Sequence, residues 1–132
     1  MEIAYKIITP RNLAKYQNPL LELLKSEWNS TESLLKSLKN SSYIVIALDG
    51  EKAVGCFQII TDRLFVAFLI NLWVDPEYRK FWIWWKVTEL AVSKAEELKV
   101  KNIQLVPDPS HPWLKPFYAK YWFKEWIYMW TK

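Results

Sequence analysis

Three apolar segments follow one another in the middle of the chain, with only short polar breaks between them. They span residues 43–48, 53–61 and 64–74 and are rich in the β-branched and aromatic residues that favour strands. The breaks are too short to hold a helix: Asp49-Gly50 is a hairpin signal, and Asp62-Arg63 predicts a second tight turn. Strands joined this closely pair antiparallel. The sequence therefore predicts an antiparallel three-stranded unit at the centre of the fold.

The flanking segments extend this unit into a mixed α/β sheet. Predicted strands lie at 3–9, 102–106 and 123–130, and predicted helices at 10–28, 31–38, 82–98 and 114–121. Pro19 is expected to break or kink the first helix. The segment 64–74 is apolar almost throughout, which is typical of a strand buried on both faces. We expect one α/β domain over residues 1–132, with a mixed, mostly antiparallel central sheet flanked by helices.

The composition limits the classes of protein to which the chain can belong. The chain has 132 residues, a net charge of +4 and a single cysteine, Cys56, so it can form neither an internal disulfide nor a cysteine-based metal cluster. The start MEIAYKIITP lacks the apolar core of a signal peptide, and no apolar run is long enough to span a bilayer. These features predict a cytoplasmic protein with no metal and no membrane partner. The charge is small for a nucleic-acid-binding protein.

Glycine and tryptophan occur in unusual numbers. The chain has 2 glycines and 9 tryptophans. About nine glycines would be expected at an average content of roughly 7%. A mixed α/β domain with many tight connections needs glycine at its turns, so this deficit calls for an explanation.

Three local motifs resemble one family. They are LWVDPEYRKFWIW, VKNIQL and PFYAKYWFKEW, and they occur in the order strand, helix, strand, helix, strand. With them the chain resembles the Gcn5-related N-acetyltransferase (GNAT) family from about residue 43 to 130. The motif of the central strand is matched by Leu72, Val74, Pro76, Tyr78 and Arg79, and the C-terminal motif by Phe117, Tyr118 and Phe123.

The resemblance implies an acetyl-CoA site in the loop between residues 74 and 85. Helix N-termini bind phosphate through free N–H groups, and glycine lets the backbone approach closely. In register with the family's motif, however, Trp82, Trp84 and Trp122 stand at positions where the family has glycine or another small residue. An indole covers roughly 150–250 Å² and could fill the space of the pyrophosphate.

Three explanations stay open for these tryptophans. The chain could be a degenerate family member that has lost cofactor binding. The indoles could point away from the loop, so that binding survives in altered form. The third explanation concerns the genetic code: some bacterial lineages read UGA as glycine and another code reads it as tryptophan, so the three residues could be glycines in the native host. The codons for residues 82, 84 and 122 would distinguish the third from the other two.

The resemblance also implies roles for individual residues. Tyr118 would act as the general acid toward the leaving CoA thiolate. Asn71 stands near the position where many relatives have a glutamate base, but an amide cannot take a proton and could only hold a water or the substrate amine. The set expected to bind acetyl-CoA is Leu72, Trp73, Val74, Arg79, Lys80, Phe81, Trp82, Ile83, Trp84, Trp85 and His111. Arg79 and Lys80 would meet phosphate charge, and His111 is a weaker candidate for a base.

Two functions are therefore predicted. The first is an acetyl-CoA-dependent N-acetyltransferase that moves acetyl to a primary amine of a small molecule or a protein. The second is a non-catalytic, protein-binding module of the same fold, in which exposed aromatics such as Phe81, Trp84 and Trp85 form the contact patch. A polyamine, an aminoglycoside, a lysine and a protein N-terminus all remain open as acceptors. The aromatic C-terminal strand could also pair across a homodimer.

Overall fold

The structure is a computed structural model that describes residues 2–25, 30–105 and 113–120. Its strands are β1 (Ala4–Ile8), β2 (Tyr43–Asp49), β3 (Lys52–Thr61), β4 (Val66–Val74) and β5 (Asn102–Leu105). Its α-helices are α1 (Leu13–Leu24), α2 (Thr31–Asn40), α3 (Ile83–Glu97) and α4 (Leu114–Ala119), and 3-10 turns occupy Pro10–Asn12 and Pro76–Tyr78. The strand predicted at 123–130 lies outside the described residues.

The described strands form one sheet in sequence order, β1-β2-β3-β4-β5. The pairs from β1 to β4 are antiparallel, and β5 runs parallel to β4. Helix α3 connects these two parallel strands, because a parallel pair needs a long crossover. The prediction of a mixed, mostly antiparallel sheet with helices on its flanks is confirmed.

Two apolar cores lie on opposite faces of the sheet. In β2, Val45 and Ala47 belong to the core under α3, while Ile44 and Ile46 belong to the core under α1 and α2. This alternation is the two-residue period of a strand. The α3 side is filled by Ile83, Val87, Ala91 and Ala95, as the helical spacing predicts, and the other side by Leu20, Leu24, Leu34 and Leu38. Strands β2 and β3 are therefore the ones covered on both faces.

The expectation that the segment 64–74 is buried on both faces is wrong. Burial along β4 is uneven, and the side chain of Phe68 is 39% exposed. Phe68 pairs with Ile60 of β3, which is exposed to the same degree, so this end of the α1–α2 face is open. Of the described helices, α1 packs against β3, and the main helix contacts of β4 are with α3. Apolar sequence alone cannot reveal where a covering helix stops.

Pro19 does not break the first helix, so the break that was predicted as one of two outcomes, beside a kink, does not occur. Helix α1 runs through it from Leu13 to Leu24. The proline removes the hydrogen bond to the carbonyl of Lys15 and crowds that carbonyl, at a cost of about 3 kcal/mol. Burial of Leu20 and Leu24 against the sheet offsets that loss, since a fully buried leucine contributes about 1.5–3 kcal/mol.

A carboxylate sets the point where β4 begins. Asp62 Oδ1 accepts hydrogen bonds from the N–H groups of Leu64, Phe65 and Val66 at 2.8–3.1 Å. These bonds lower the pKa of Asp62 and hold the chain in a turn until Val66. The strand therefore starts two residues later than the apolar pattern predicts.

Gly55 in β3 is the point of closest approach between the sheet and α3. A Cβ atom at this position would lie 2.8 Å from Cγ2 of Ile83, the first residue of α3, and 3.4 Å from Cβ of Ala47. The absence of a side chain at residue 55 thus lets the start of α3 rest directly on the sheet. This contact fixes the helix N-terminus relative to the end of β4, because Gly55 pairs with Val74.

We predict that Gly55→Ala lowers the free energy of unfolding by about 1–3 kcal/mol, the usual cost of overpacking a core. Urea denaturation measures this change. In an Ile83→Ala background the same substitution should cost much less, because the clashing methyl group is gone. Equal costs in the two backgrounds would mean that the contact with Ile83 is not the constraint.

Candidate functional site

The loop between β4 and α3 is tied to the β2–β3 hairpin. The phenol of Tyr78 donates a hydrogen bond to Asp49 Oδ2 at 2.6 Å, and this bond is the main reason that the pKa of Tyr78 rises to about 12. Lys52 forms an ion pair with Asp75 at 3.4 Å, and its ammonium lies 5.2 Å from the centre of the Tyr78 ring. The turn that carries the family motif is therefore held in one conformation by the neighbouring hairpin.

Arg79 stacks between two indoles at the end of β4. Its guanidinium carbon lies 4.7 Å from the centre of the Trp73 ring and 5.4 Å from that of Trp84, within the range of cation–π attraction. Its Nε also donates to the carbonyl of Val74 at 3.1 Å. Arg79, the residue predicted to bind phosphate, thus lies at the loop, but its guanidinium contacts two tryptophan rings. Lys80 is exposed, with its ammonium 5.5 Å from the Phe81 ring.

Helix α3 begins at a residue with left-handed backbone. Trp82, its N-cap, has φ 62° and ψ 16°, and its side chain is 77% exposed. Bulky residues are rare in this region, which glycine adopts at no steric cost. Trp82 makes no side-chain cap bond, and no hydrogen bond of the described residues uses the N–H groups of Ile83 or Trp84. The N-terminus of α3 therefore has free donors, and the indole of Trp82 extends into solvent.

The next two indoles pack toward α4 instead. The Trp84 ring meets the Trp113 ring edge to face, with centroids 5.0 Å apart, and Trp85 meets Phe117 in the same way at 6.1 Å. The ammonium of Lys120 lies 5.5 Å from the Trp85 ring. Trp84 contacts both Arg79 and Trp113, so it is this indole, rather than that of Trp82, that crowds the basic side of the loop.

We predict that Trp82→Gly stabilises the chain relative to Trp82→Ala by about 1 kcal/mol, because only glycine relieves the left-handed backbone. Both variants remove the exposed indole, so their difference isolates the backbone term. Thermal or urea unfolding of the two proteins measures it. If alanine and glycine are equally stable, residue 82 does not adopt the left-handed conformation.

Asn71 occupies a β-bulge in β4. Cys56 pairs with Trp73 and Gln58 with Ile70, so Asn71 and Leu72 together oppose a single residue of β3. Asn71 has φ 55°. Its Nδ2 donates to Gln58 Oε1 at 2.8 Å. Neither the bulge nor the role of Gln58 was predicted from the sequence. The bulge did have a signal, because asparagine tolerates left-handed backbone better than most residues.

Tyr118 lies on α4 and is 5% exposed within the core on the α3 side. Its ring contacts that of Phe117, with centroids 5.4 Å apart. Burial raises the pKa of Tyr118 well above its usual value of 10. His111, Trp122 and Phe123 lie outside the described residues, so their predicted roles remain predictions. Cys56 is fully buried, and burial raises its pKa to about 12, as suits a core thiol.

A cleft of about 680 Å³ opens between the second half of α1, the β2–β3 hairpin and the end of β4. Its lining includes Glu22, Lys25, Glu51, Lys52, Trp73 and Asp75. Two of the three carboxylates are paired, Glu22 with Lys25 at 2.6 Å and Asp75 with Lys52. The cleft is therefore polar but close to neutral. Among residues 2–25, 30–105 and 113–120, no cluster of three or more His, Cys, Asp or Glu side chains could hold a metal, and no helix is long and apolar enough to cross a membrane.

In the described residues, a bulged central strand leads through a basic turn to a helix N-terminus whose first N–H groups have no hydrogen-bond partner, the arrangement that the resemblance to the GNAT family implies. The family model described as "Acetyltransferase (GNAT) family" matches residues 4–122. The chain therefore belongs to the GNAT acetyltransferase family. No curated protein sequence matches it.

Solved structures share the fold at low sequence identity. A GNAT family acetyltransferase from Streptococcus pneumoniae is 21% identical with a TM-score of 0.70, over 99% of this chain and 100% of that one. An aminoglycoside acetyltransferase from an uncultured soil metagenomic sample, in complex with sisomicin, is 17% identical with a TM-score of 0.74, over 98% and 95%. A second soil metagenomic aminoglycoside acetyltransferase is 13% identical with a TM-score of 0.73, over 100% and 98%. At these identities the likeness shows the fold alone.

Proposed function

We propose that this protein is an acetyl-CoA-dependent N-acetyltransferase that acts on a primary amine in the cytoplasm. The observation that carries the proposal is the N-terminus of α3, which follows β4 after one loop and where, among the described residues, the N–H groups of Ile83 and Trp84 have no partner. A 15-residue helix also places the positive end of its dipole there. Such an end binds the phosphates of a nucleotide-like cofactor.

The residues around this helix end fit acetyl-CoA with one obstacle. Arg79 and Lys80 supply positive charge next to the free N–H groups. The backbone of Leu72, Trp73 and Val74 at the end of β4 is assigned to the pantetheine arm, as the family resemblance implies. The obstacle is Trp84, whose indole contacts the Arg79 guanidinium. Binding of phosphate would require that contact to loosen.

The chemistry assigned to this chain is proton donation and positioning. The thioester of bound acetyl-CoA supplies the activated acetyl group. The Tyr118 phenol, whose pKa burial raises above 10, is protonated through the neutral pH range and can donate that proton to the leaving thiolate. Asn71 has no acidic proton and does not act as a base; its amide can hold the amine or a water. The amine attacks in its neutral form: the C–N bond forms, the C–S bond breaks, Tyr118 protonates the thiolate, and the proton lost from nitrogen returns to the Tyr118 oxygen through solvent.

The acceptor is assigned only as a primary amine. Two structural relatives are aminoglycoside acetyltransferases, and one of them is in complex with sisomicin. Those names make an aminoglycoside one reasonable probe, beside a polyamine such as spermidine and a peptide with a free N-terminus. The near-neutral cleft beside Trp73 is large enough to take part of such an acceptor.

A protein-binding module remains the second candidate. Phe81, Trp82, Trp85 and Trp113 are all exposed, and basic residues lie beside them. Exposed aromatics of this kind mark interaction surfaces. Binding of acetyl-CoA distinguishes the two functions, since a protein-binding module does not require acetyl-CoA.

We expect acetyl-CoA to bind the chain, and calorimetric titration into the wild type and a Trp82→Gly/Trp84→Gly variant tests this. The variant should bind more tightly, because it frees Arg79 and opens the helix end. Binding to the variant alone would show a cofactor site that the indoles block, and would contradict activity of the sequence as written. Binding to neither protein would overturn the proposal in favour of the module.

We predict that Tyr118→Phe lowers kcat by about 10²-fold, the lower end of the usual contribution of a general acid, and leaves the Kd for acetyl-CoA unchanged. The change removes one oxygen and keeps the ring in its core position. Steady-state kinetics and calorimetry measure the two constants. A parallel loss of acetyl-CoA binding would assign Tyr118 a structural role instead.

The same variant should also change the alkaline stability of the fold. A tyrosine whose folded pKa is raised holds its proton in the native state after the unfolded chain has begun to lose it, near pH 10. The free energy of unfolding therefore falls as the pH rises above about 10. We expect Tyr118→Phe to reduce this fall, with no effect on the pH dependence below pH 9.

A further inference from the structure

One buried amide connects the bulge of β4 to helix α2. Gln58 in β3 is 0% exposed and lies on the face covered by α1 and α2. Its Nε2 donates to Ser41 Oγ at 2.7 Å and to Ser37 Oγ at 3.2 Å. Its Oε1 accepts from Asn71 Nδ2 at 2.8 Å. Four polar side chains therefore form a continuous chain from the end of α2 to the strand beside the proposed site.

The direction of these hydrogen bonds is determined at the α2 end. Ser41 Oγ donates to the backbone carbonyl of Ser37 at 3.1 Å, and a carbonyl can only accept. A hydroxyl has one hydrogen, so Ser41 Oγ must accept from Gln58. Gln58 then presents its NH₂ group to α2 and its oxygen to Asn71.

The orientation of Asn71 follows from that of Gln58. Because Gln58 offers an oxygen, Asn71 must meet it with its NH₂ group, which leaves the Asn71 Oδ1 atom pointing elsewhere. This oxygen makes no hydrogen bond within the described part of the chain. Asn71 is half-buried and stands in the bulge, three residues before the end of β4. A carbonyl oxygen is thus fixed at the site with its accepting capacity unused.

We propose that Gln58 is a positioning residue, which turns the Asn71 amide so that Oδ1 accepts an N–H of the acceptor amine. The proposal rests on the acetyltransferase function proposed above. An N–H held by Oδ1 directs the nitrogen lone pair away from Asn71, which orients the amine for attack. The neutral amide does not stabilise an ammonium ion as a carboxylate would, so it does not oppose deprotonation of the amine.

The first measurement concerns the hydrogen-bond chain and needs no substrate. In a spectrum of side-chain ¹⁵N amides, the Asn71 signal is assigned by its loss in Asn71→Ala. We expect slow solvent exchange for its bonded proton in the wild type. Gln58→Met keeps the approximate shape of the side chain but removes both its NH₂ donor and its oxygen acceptor, so it should abolish that protection. Gln58→Glu keeps an oxygen facing Asn71 and, with its buried carboxyl protonated, an O–H for Ser41, so it should restore the protection.

The second measurement concerns the acceptor. Kinetics use acetyl-CoA with sisomicin or spermidine, whichever the wild type acetylates. Gln58→Met should raise KM for the amine about ten-fold, the size of one net hydrogen bond, and change KM for acetyl-CoA less than two-fold. Gln58→Glu should stay close to wild type. Thr88→Val is the matched control, because Thr88 is equally buried, on the opposite face of the sheet, and has no hydrogen-bond partner among the described residues.

The outcomes distinguish failure of the positioning role of Gln58 from failure of the proposed acetyltransferase function. Unchanged Asn71 protection in Gln58→Met, or equal increases in both KM values, would overturn the positioning role. A matching rise in the amine KM of Thr88→Val would overturn it too, since any buried change would then suffice. A protein that keeps the protected Asn71 signal but binds no acetyl-CoA contradicts the acetyltransferase function itself, and the role of Oδ1 with it.

Discussion

The contact between Gly55 and Ile83 is the constraint on which the site depends. It lets the first residue of α3 rest on β3 with no side chain between them. Gly55 also pairs with Val74, the last residue of β4. One contact therefore sets the distance between the end of the strand and the start of the helix. The Tyr78–Asp49 hydrogen bond and the Arg79–Val74 hydrogen bond then hold the intervening loop in place.

Two residues with left-handed backbone bracket the proposed site, Asn71 in the bulge of β4 and Trp82 at the N-cap of α3. Backbone in sparsely populated regions persists only where the surroundings enforce it, and such residues cluster at functional sites. Asparagine tolerates this conformation and is tied down by Gln58. Tryptophan does not suit the left-handed conformation, and the Trp82 indole is too exposed for its burial to offset the strain. The strain at residue 82 is therefore one that glycine would remove.

The two tryptophans at the helix start differ in their consequences. Trp82 projects into solvent and leaves the N–H groups of the first turn open. Trp84 instead joins Arg79 to Trp113 of the α4 N-cap. The explanation in which the indoles point away from the loop thus applies to Trp82 and not to Trp84. A glycine at residue 82 would suit the left-handed backbone, as the genetic-code explanation requires. If the chain has instead lost cofactor binding, Trp84 is the residue that accounts for the loss, because it contacts Arg79.

Much of the fold could be predicted from local pattern, because the two-residue and 3.6-residue periods are properties of the chain itself. The hairpin at Asp49-Gly50, the apolar face of α3 from Ile83 to Ala95 and the motif up to Arg79 could all be predicted in this way. Pro19 and the exposure of Phe68 could not, since both depend on what another element covers. The sequence also predicted site roles for Asn71, Arg79 and Tyr118, which stay predictions, but it did not predict their geometry. Only the tertiary structure placed Asn71 in a bulge, paired it with the distant Gln58 and stacked Arg79 between Trp73 and Trp84, because such contacts join residues that no local spacing relates.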